Sequence, residues 1–448
     1  MRKRIQSISL SVLTLSGSLA MGQSSNVVQP RPSERLVHFG PTAQVRQIRP
    51  TGALGWFGRR GPSISNLRQL RPSESATELK RPAPVARLSD AVTIRADQPG
   101  DPMVNFSAGR DLVPAFKGSD ELVTALQNNI AQPASLTSED VDGDGVADLV
   151  CGYANNGKGI IAIYRGNLDV MYSTRSVSGE VTDESPFLPQ AIVVAVPTAA
   201  DFVRVGDFNG DGIPDLIAAT RGTNQLHFFA GTGGGEFSPV SEFQLPGVVT
   251  SLETGDVNRR DGLADIAVAV TGAGGSKLLV YEGPNGALKA EPESISLPGP
   301  GGSIAIGHFD DDYWVDIAVA AGRKLVIVHG RDRMLTLDTE QRKEVVPVSK
   351  DSISTAFDIA SISAGDFAAK GRTAIALLAT DGSVHIMERT TRKGNDHWAE
   401  TPASGVMAGP LHGSGILRGR VSGSKGDNLV LLNESAKEMQ VFSLDGKV

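Results

Sequence analysis

Two stretches of the chain, DVDGDGVADLV at 140–150 and DFNGDGIPDLI at 207–217, carry side-chain oxygens at positions one, three, five and nine of a short loop. Glycine stands at position six, and position seven can turn a backbone carbonyl inward. A hard cation such as calcium takes about six to eight oxygen ligands from such groups. The first loop offers Asp140, Asp142, Asp144, the carbonyl of Val146 and Asp148. The second offers Asp207, Asn209, Asp211, the carbonyl of Ile213 and Asp215. A third set is Asp256, Asn258, Asp261, the carbonyl of Leu263 and Asp265, lengthened by one residue that a bulge through Arg259 and Arg260 can absorb. Calcium is the cofactor implied, with weaker binding in the third loop.

Both strong loops begin like an EF-hand, but the bidentate Glu that an EF-hand carries at position twelve is replaced by Cys151 and Ala218. A strand pattern follows instead of a helix. Later copies degrade. In the fourth, His308 replaces the first Asp and Tyr313 the glycine, leaving Asp310, Asp312 and Asp316; a neutral imidazole suits a hard cation poorly, so metal there is left open. The fifth keeps Asp366, with Lys370 at position five and Ala374 at position nine, and the Lys370 ammonium is expected to pair with Asp366 in place of a metal. The sixth, 420–428, has no ligand set.

The elements that position these loops follow from their spacing. Motif starts at Asp140, Asp207, Asp256, His308, Asp366 and Arg420 lie 67, 49, 52, 58 and 54 residues apart. About four short strands fit each interval, the size of a propeller blade. Apolar third strands are expected at 160–165, 225–230, 277–282, 324–329, 384–388 and 439–443. The fold class is therefore all-β, a propeller of six four-stranded blades, with seven as the alternative. The sixth unit lacks a fourth strand, and residues 103–112 read as a strand without a blade; pairing them would close the ring and cover an edge. Leu122, Leu126 and Ile130 give residues 119–132 a helical period.

The loops, together with the turn FAGTGGGEF at 229–237, resemble the FG-GAP or VCBS repeat family of β-propellers, found in integrin α-subunit heads and in many exported bacterial proteins. The resemblance covers roughly residues 103–448 and is strongest in the first two loops. It implies that calcium clips the first two strands of a blade together, and its integrin-like version implies seven blades.

Charge divides the chain. Residues 31–90 carry ten Arg and one Lys against four acids, whereas residues 91–448 carry a net charge of −17. An acidic body disfavours nucleic acid and suits cations. Residues 1–22 read as a secretory signal, with Arg2, Lys3 and Arg4 before an apolar run. Residues 23–90 are rich in Pro, Arg, Ser and Gln and read as a mostly disordered basic linker. Residues 91–448 are the propeller. The lone cysteine, Cys151, permits no intrachain disulfide and reads as a core residue. No membrane-length apolar run follows the signal, so the expected product is monomeric, without membrane insertion, and secreted or displayed at the cell surface or in the periplasm.

The expected function is non-catalytic: a binding or adhesion module whose calcium is mainly structural and whose ligand is a protein or glycan. The alternative is an enzyme, a polysaccharide lyase or hydrolase working through the central channel. Against the enzyme, Gly-x-Ser-x-Gly is absent and the seven histidines form no local grouping. Among them His227 and His329 read as packing or hydrogen-bonding residues.

Overall fold

Each acidic loop is followed by a short run of Leu, Ile, Val and Ala with no polar alternation. Such a run suits a strand covered on both faces. Asp215–Ala219 and Ala374–Ala379 are buried along their whole length. The computed structural model describes residues 114–168, 185–258, 260–336, 341–392, 395–403, 415–421, 424–433 and 438–444, and the strands Val37–Phe39, Ala43–Val45 and Thr93–Ala96.

Among these residues the chain builds a six-bladed β-propeller. The second to fifth blades are four-stranded and antiparallel. They comprise Phe202–Gly206, Asp215–Ala219, Gln225–Phe229 and Ser241–Gln244; Val248–Gly255, Asp265–Gly272, Gly275–Tyr281 and Glu293–Leu297; Ser303–Gly307, Asp316–Ala321, Lys324–Val328 and Lys350–Ser354; and Ile359–Gly365, Ala374–Ala379, Val384–Arg392 and Asn395–Pro402. The first blade runs Gln132–Glu139, Asp148–Asn155, Lys158–Tyr164 and Gln190–Val196, with Ala115–Lys117 added in parallel to its last strand. The sixth has Gly415–Gly419, Asn428–Asn433 and Glu438–Ser443.

The core lies between blades. One apolar cluster joins the second and third sheets through Phe202, Phe208, Leu226, Leu252 and Val268. Equivalent clusters fill the gaps from first to second, third to fourth, fourth to fifth and fifth to sixth. First strands of successive blades pack side by side, so every loop between a first and a second strand opens at the same end of the ring. Position two anchors each loop: Val141, Phe208, Val257, Phe309, Phe367 and Val421 are all at most 2% exposed.

Residues 103–112, the expected closing strand, lie outside the described residues, as does the signal at 1–22. The strand beside Glu438–Ser443 is Thr93–Ala96, and it runs parallel to it. The expected helix is shorter than its periodicity suggested. It spans Asp120–Gln127, and its Ala125 and Leu126 cover the face of the first blade opposite the second. Gln132 belongs to the following strand, and Ile130, past the helix end, is half exposed. Cys151 is buried in that same cluster, as expected, and burial pushes its thiol up to about 12. A separate unit, Asn26–Val85, contains the hairpin of Val37–Phe39 and Ala43–Val45 within the basic segment. Among the described residues no helix is long and apolar enough to cross a membrane.

Emptying the anchor position should cost far more than trimming the loop tip. Phe208→Ala is expected to lower unfolding free energy by about 3–5 kcal/mol, whereas Tyr313→Ala, at a side chain 60% exposed, should stay within about 0.5 kcal/mol. Denaturant titration of the two variants checks the contrast.

Candidate metal centre

The first loop gathers its carboxylates. Oxygens of Asp140, Asp142 and Asp144 lie within 4.8 Å of one another. Asp140 holds the turn: one oxygen accepts the amides of Gly143 at 2.8 Å and Asp144 at 3.2 Å, and the other accepts Gly145 at 2.8 Å. Asp207 repeats this with Gly210, Asp211 and Gly212 at 2.7, 3.1 and 2.8 Å. Position five accepts the amide of position seven in both loops, Asp144 from Val146 and Asp211 from Ile213, at 2.8 Å each. These local bonds curl the backbone so that acidic side chains share one concavity. Burial, then the neighbouring Asp144, raises the carboxyl of Asp142 above its usual range.

In the second loop, Asn209 turns its amide nitrogen toward Asp211 at 2.9 Å and Asp215 at 3.2 Å, while its buried Oδ1 has no hydrogen-bond partner. A half-turn of the amide would aim that oxygen at the same carboxylates, an arrangement only a cation makes favourable. The donor set thus fits a hard cation in both loops.

Position nine has a further role. Asp148 accepts the Val141 amide at 2.8 Å through one oxygen and the Gly166 amide at 2.7 Å through the other. Asp215 takes Phe208 at 3.0 Å, Asn209 at 3.2 Å and Gly231 at 2.8 Å. Asp316 takes Phe309 and Gly330, both at 2.8 Å. These three carboxylates are wholly buried. Each clips the start of its loop to the turn after the third strand. Gly231 must be glycine because a Cβ there would sit 2.1 Å from the Pro214 carbonyl oxygen. It opens the glycine turn at 229–237, a small hairpin of Gly231–Gly233 with Glu236–Phe237. Burial outweighs the amide bonds and pushes Asp148 up to about 7 and Asp215 and Asp316 up to about 6.

The third loop keeps part of the pattern. Asp256 accepts Asp261 and Gly262, Asp261 accepts Leu263 at 3.0 Å, and Asp265 accepts Val257 at 2.8 Å. Asn258 is turned out of the set. Its side chain donates to Glu282 and accepts the Arg331 amide at 3.1 Å, while its backbone pairs with Val315 of the next blade. Arg260 reaches His308, and Arg259 lies outside the described residues. In the fifth loop Asp366 accepts the amides of Lys370 and Gly371, but the Lys370 ammonium goes to Glu388 at 2.8 and 3.0 Å, not to Asp366 as expected. The sixth loop places Asn428 at position nine, where it accepts the Val421 amide at 2.9 Å, and Arg420 binds Asp427.

In each of the first five blades sequence reading did not place one residue beside the loop, although His329 was read as a packing or hydrogen-bonding residue. Strand pairing sets Leu149 opposite Tyr164, Leu216 opposite Phe229, Ile266 opposite Tyr281, Ile317 opposite Val328 and Ile375 opposite Met387. The next residue outward therefore stands beside position nine: Arg165, Ala230, Glu282, His329 and Glu388. Four of these reach the loop. Arg165 comes within 3.8 Å of Asp142, Glu282 holds Asn258, His329 contacts Asp310 at 3.1 Å, and Glu388 holds Lys370. Their only sequence signal was that each ends a third strand.

Potential acid–base groups lie elsewhere. On the first strands, Arg204 binds both oxygens of Glu253 at 2.7 and 2.8 Å. Beside it Glu139 is pushed up to about 7, first by burial. His227 is fully buried with Nε2 2.9 Å from the Thr198 hydroxyl, in keeping with a packing role.

Residues 207–267 match the FG-GAP-like repeat, from the second loop to the strand after the third. No curated protein matches the chain. Solved structures that match include BBS1N in complex with ARL6DN, soaked with lead, at 13% identity and a TM-score of 0.37, over 75% of this chain and 96% of that one. A likeness of that size carries no argument.

If position nine is a clip, Asp215→Ala in calcium-free buffer should lose about 3 kcal/mol or more by stranding three amides, and Asp211→Ala about 1 kcal/mol. Equal losses in a denaturant titration would remove the clip. Burial holds the His227 ring below the usual histidine range, with Glu242 pulling partly back. Its contribution to stability is then complete above about pH 6.5 and is lost as pH falls through the lower folded-state value. The melting temperature should drop less between about pH 7 and pH 5 in His227→Gln than in the parent chain.

Proposed function

We propose that this six-bladed propeller of FG-GAP-like repeats is an exported, monomeric, non-catalytic binding module whose loops take calcium for structural support, and whose ligand is a protein or glycan. The observation that carries the calcium reading is the convergence of Asp140, Asp142 and Asp144 within 4.8 Å. The partnerless oxygen of Asn209 beside Asp211 and Asp215 extends it to Asp207, Asn209, Asp211, Ile213 and Asp215. Like charges this close repel unless a cation lies among them. With the carbonyl of Val146 and with Asp148, the first loop reaches five oxygen-bearing residues, and water can complete the shell.

The third loop is the weaker site, held by Asp256, Asp261, Leu263 and Asp265, because Asn258 is committed to Glu282 and Arg331. Calcium supplies charge neutralisation there and ties the two strands that flank each loop. Export rests on the basic and apolar character of residues 1–22, and a millimolar-calcium exterior suits loops of modest affinity.

The enzyme alternative has less support. A glycosidase needs two carboxyl groups free to act. Of the two on the first strands, Glu253 has both oxygens bound by Arg204, which leaves Glu139 alone.

The test uses the full chain with about 1 mM calcium or with chelator, read by melting temperature and by a protein and glycan array. Calcium should raise the melting temperature, and Asp211→Ala should remove part of that rise. A ligand retained with calcium and released by chelator supports the binding reading. Melting that ignores chelator sinks the calcium reading, and turnover of an arrayed polysaccharide sinks the non-catalytic one.

A further inference from the structure

The fourth loop departs from the others in its donor chemistry. His308 at position one faces away from any ion: its Nδ1 lies 2.9 Å from the Trp314 carbonyl oxygen, and its Nε2 meets Arg260. The imidazole that enters the loop is His329, from the turn after the third strand. Its Nδ1 lies 3.1 Å from Asp310 Oδ2 and 3.9 Å from Asp316 Oδ1, and the three groups lie within 4.8 Å of one another.

The other side of that ring also meets a carboxylate. Nε2 lies 3.3 Å from Asp351 Oδ2, which also accepts the Trp398 indole N–H at 3.1 Å. A hydrogen on Nε2 serves that contact, just as one on Nδ1 serves Asp310. With its hydrogen on Nε2, the ring turns a bare Nδ1 toward two carboxylate oxygens. Three lone pairs converge, and only a positive charge among them makes the arrangement favourable. Arg389 lies 3.0 Å from Asp310 Oδ2 and Asp316 is met by the amides of Phe309 and Gly330, so one guanidinium stands against the two carboxylates of the set.

We propose that this loop is a site for a divalent first-row transition ion of the zinc class, ligated by Asp310, Asp316 and His329 Nδ1, with Asp351 as the outer carboxylate that orients the imidazole. One nitrogen and two oxygens suit zinc or cobalt better than calcium. Ligands about 2.1 Å from such an ion stand roughly 3–3.5 Å apart, near the observed 3.1 and 3.9 Å. An imidazole that donates its second N–H to a carboxylate is the usual outer-shell arrangement. The site shares no ligand with the calcium loops and stands or falls separately from them.

The full chain, stripped with chelator and resaturated with calcium, is titrated with Co²⁺. One cobalt ion per chain should bind with a visible d–d absorption, leave on addition of Zn²⁺, and persist in excess calcium. His329→Gln and Asp310→Asn should abolish uptake, Asp351→Asn should weaken it about 10–100-fold, and His397→Gln, an exposed histidine, should leave it unchanged. Circular dichroism of each variant confirms its fold, and Asp310→Asn serves if His329→Gln does not fold. Cobalt uptake that is absent, or that survives loss of the ligand, overturns the site and leaves His329 as a hydrogen-bonding residue between Asp310 and Asp351.

Discussion

A buried carboxylate that accepts backbone amides on both sides is the constraint from which the first, second and fourth loops take their shape. Asp148, Asp215 and Asp316 each join the amide of position two to the amide of a glycine after the third strand. One side chain thus ties three of a blade's four strands at one corner. The apolar anchor at position two can enter the gap between blades only because its amide is satisfied there. In the sixth loop an amide, Asn428, does the same work without a charge. The backbone corner is therefore common to loops of quite different side-chain chemistry.

Electrostatics then varies over that constant frame. The first loop has three clustered carboxylates with a guanidinium at its margin, and the third commits its Asn to the neighbouring blade. The fifth supplies its own cation, although Lys370 is held by Glu388 and not by the aspartate. Polar ties also cross between blades: Arg204 to Glu253, Asn258 to Arg331, Trp398 to Asp351 and the Asp366 amide to Asp427. In a stacked array, stability is close to a sum of units and nearest-neighbour terms. These ties are part of the neighbour terms, so a change in one loop is felt first by the adjoining blade.

Much of this was legible in the sequence because it is local. The period of the motif gave six units, and the apolar runs gave third strands close to their observed bounds. The amide-bonded turns follow from Asp and Gly spacing alone. What could not be read depends on register or on distant partners. Nothing near Glu282, His329 or Glu388 indicates that pairing sets them beside position nine. Asn258 matches the ligand pattern perfectly, yet a positive φ of 54° and two partners from other segments draw it away. Helical periodicity misled over 128–132, because strand pairing with Ala154 begins at Gln132 and overrides it.

The aromatic residues around the fourth loop give the molecule an uneven optical signature. Of its three tryptophans, Trp314 sits at position seven of that loop, edge-on to Tyr313 with ring centroids 5.4 Å apart, and Trp398 donates to Asp351 behind His329. Trp56 lies outside the described residues. Neither described indole belongs to the first three loops. Emission from these two indoles therefore watches one sector of the disc, and events in the first three acidic loops register in it only after crossing a blade boundary.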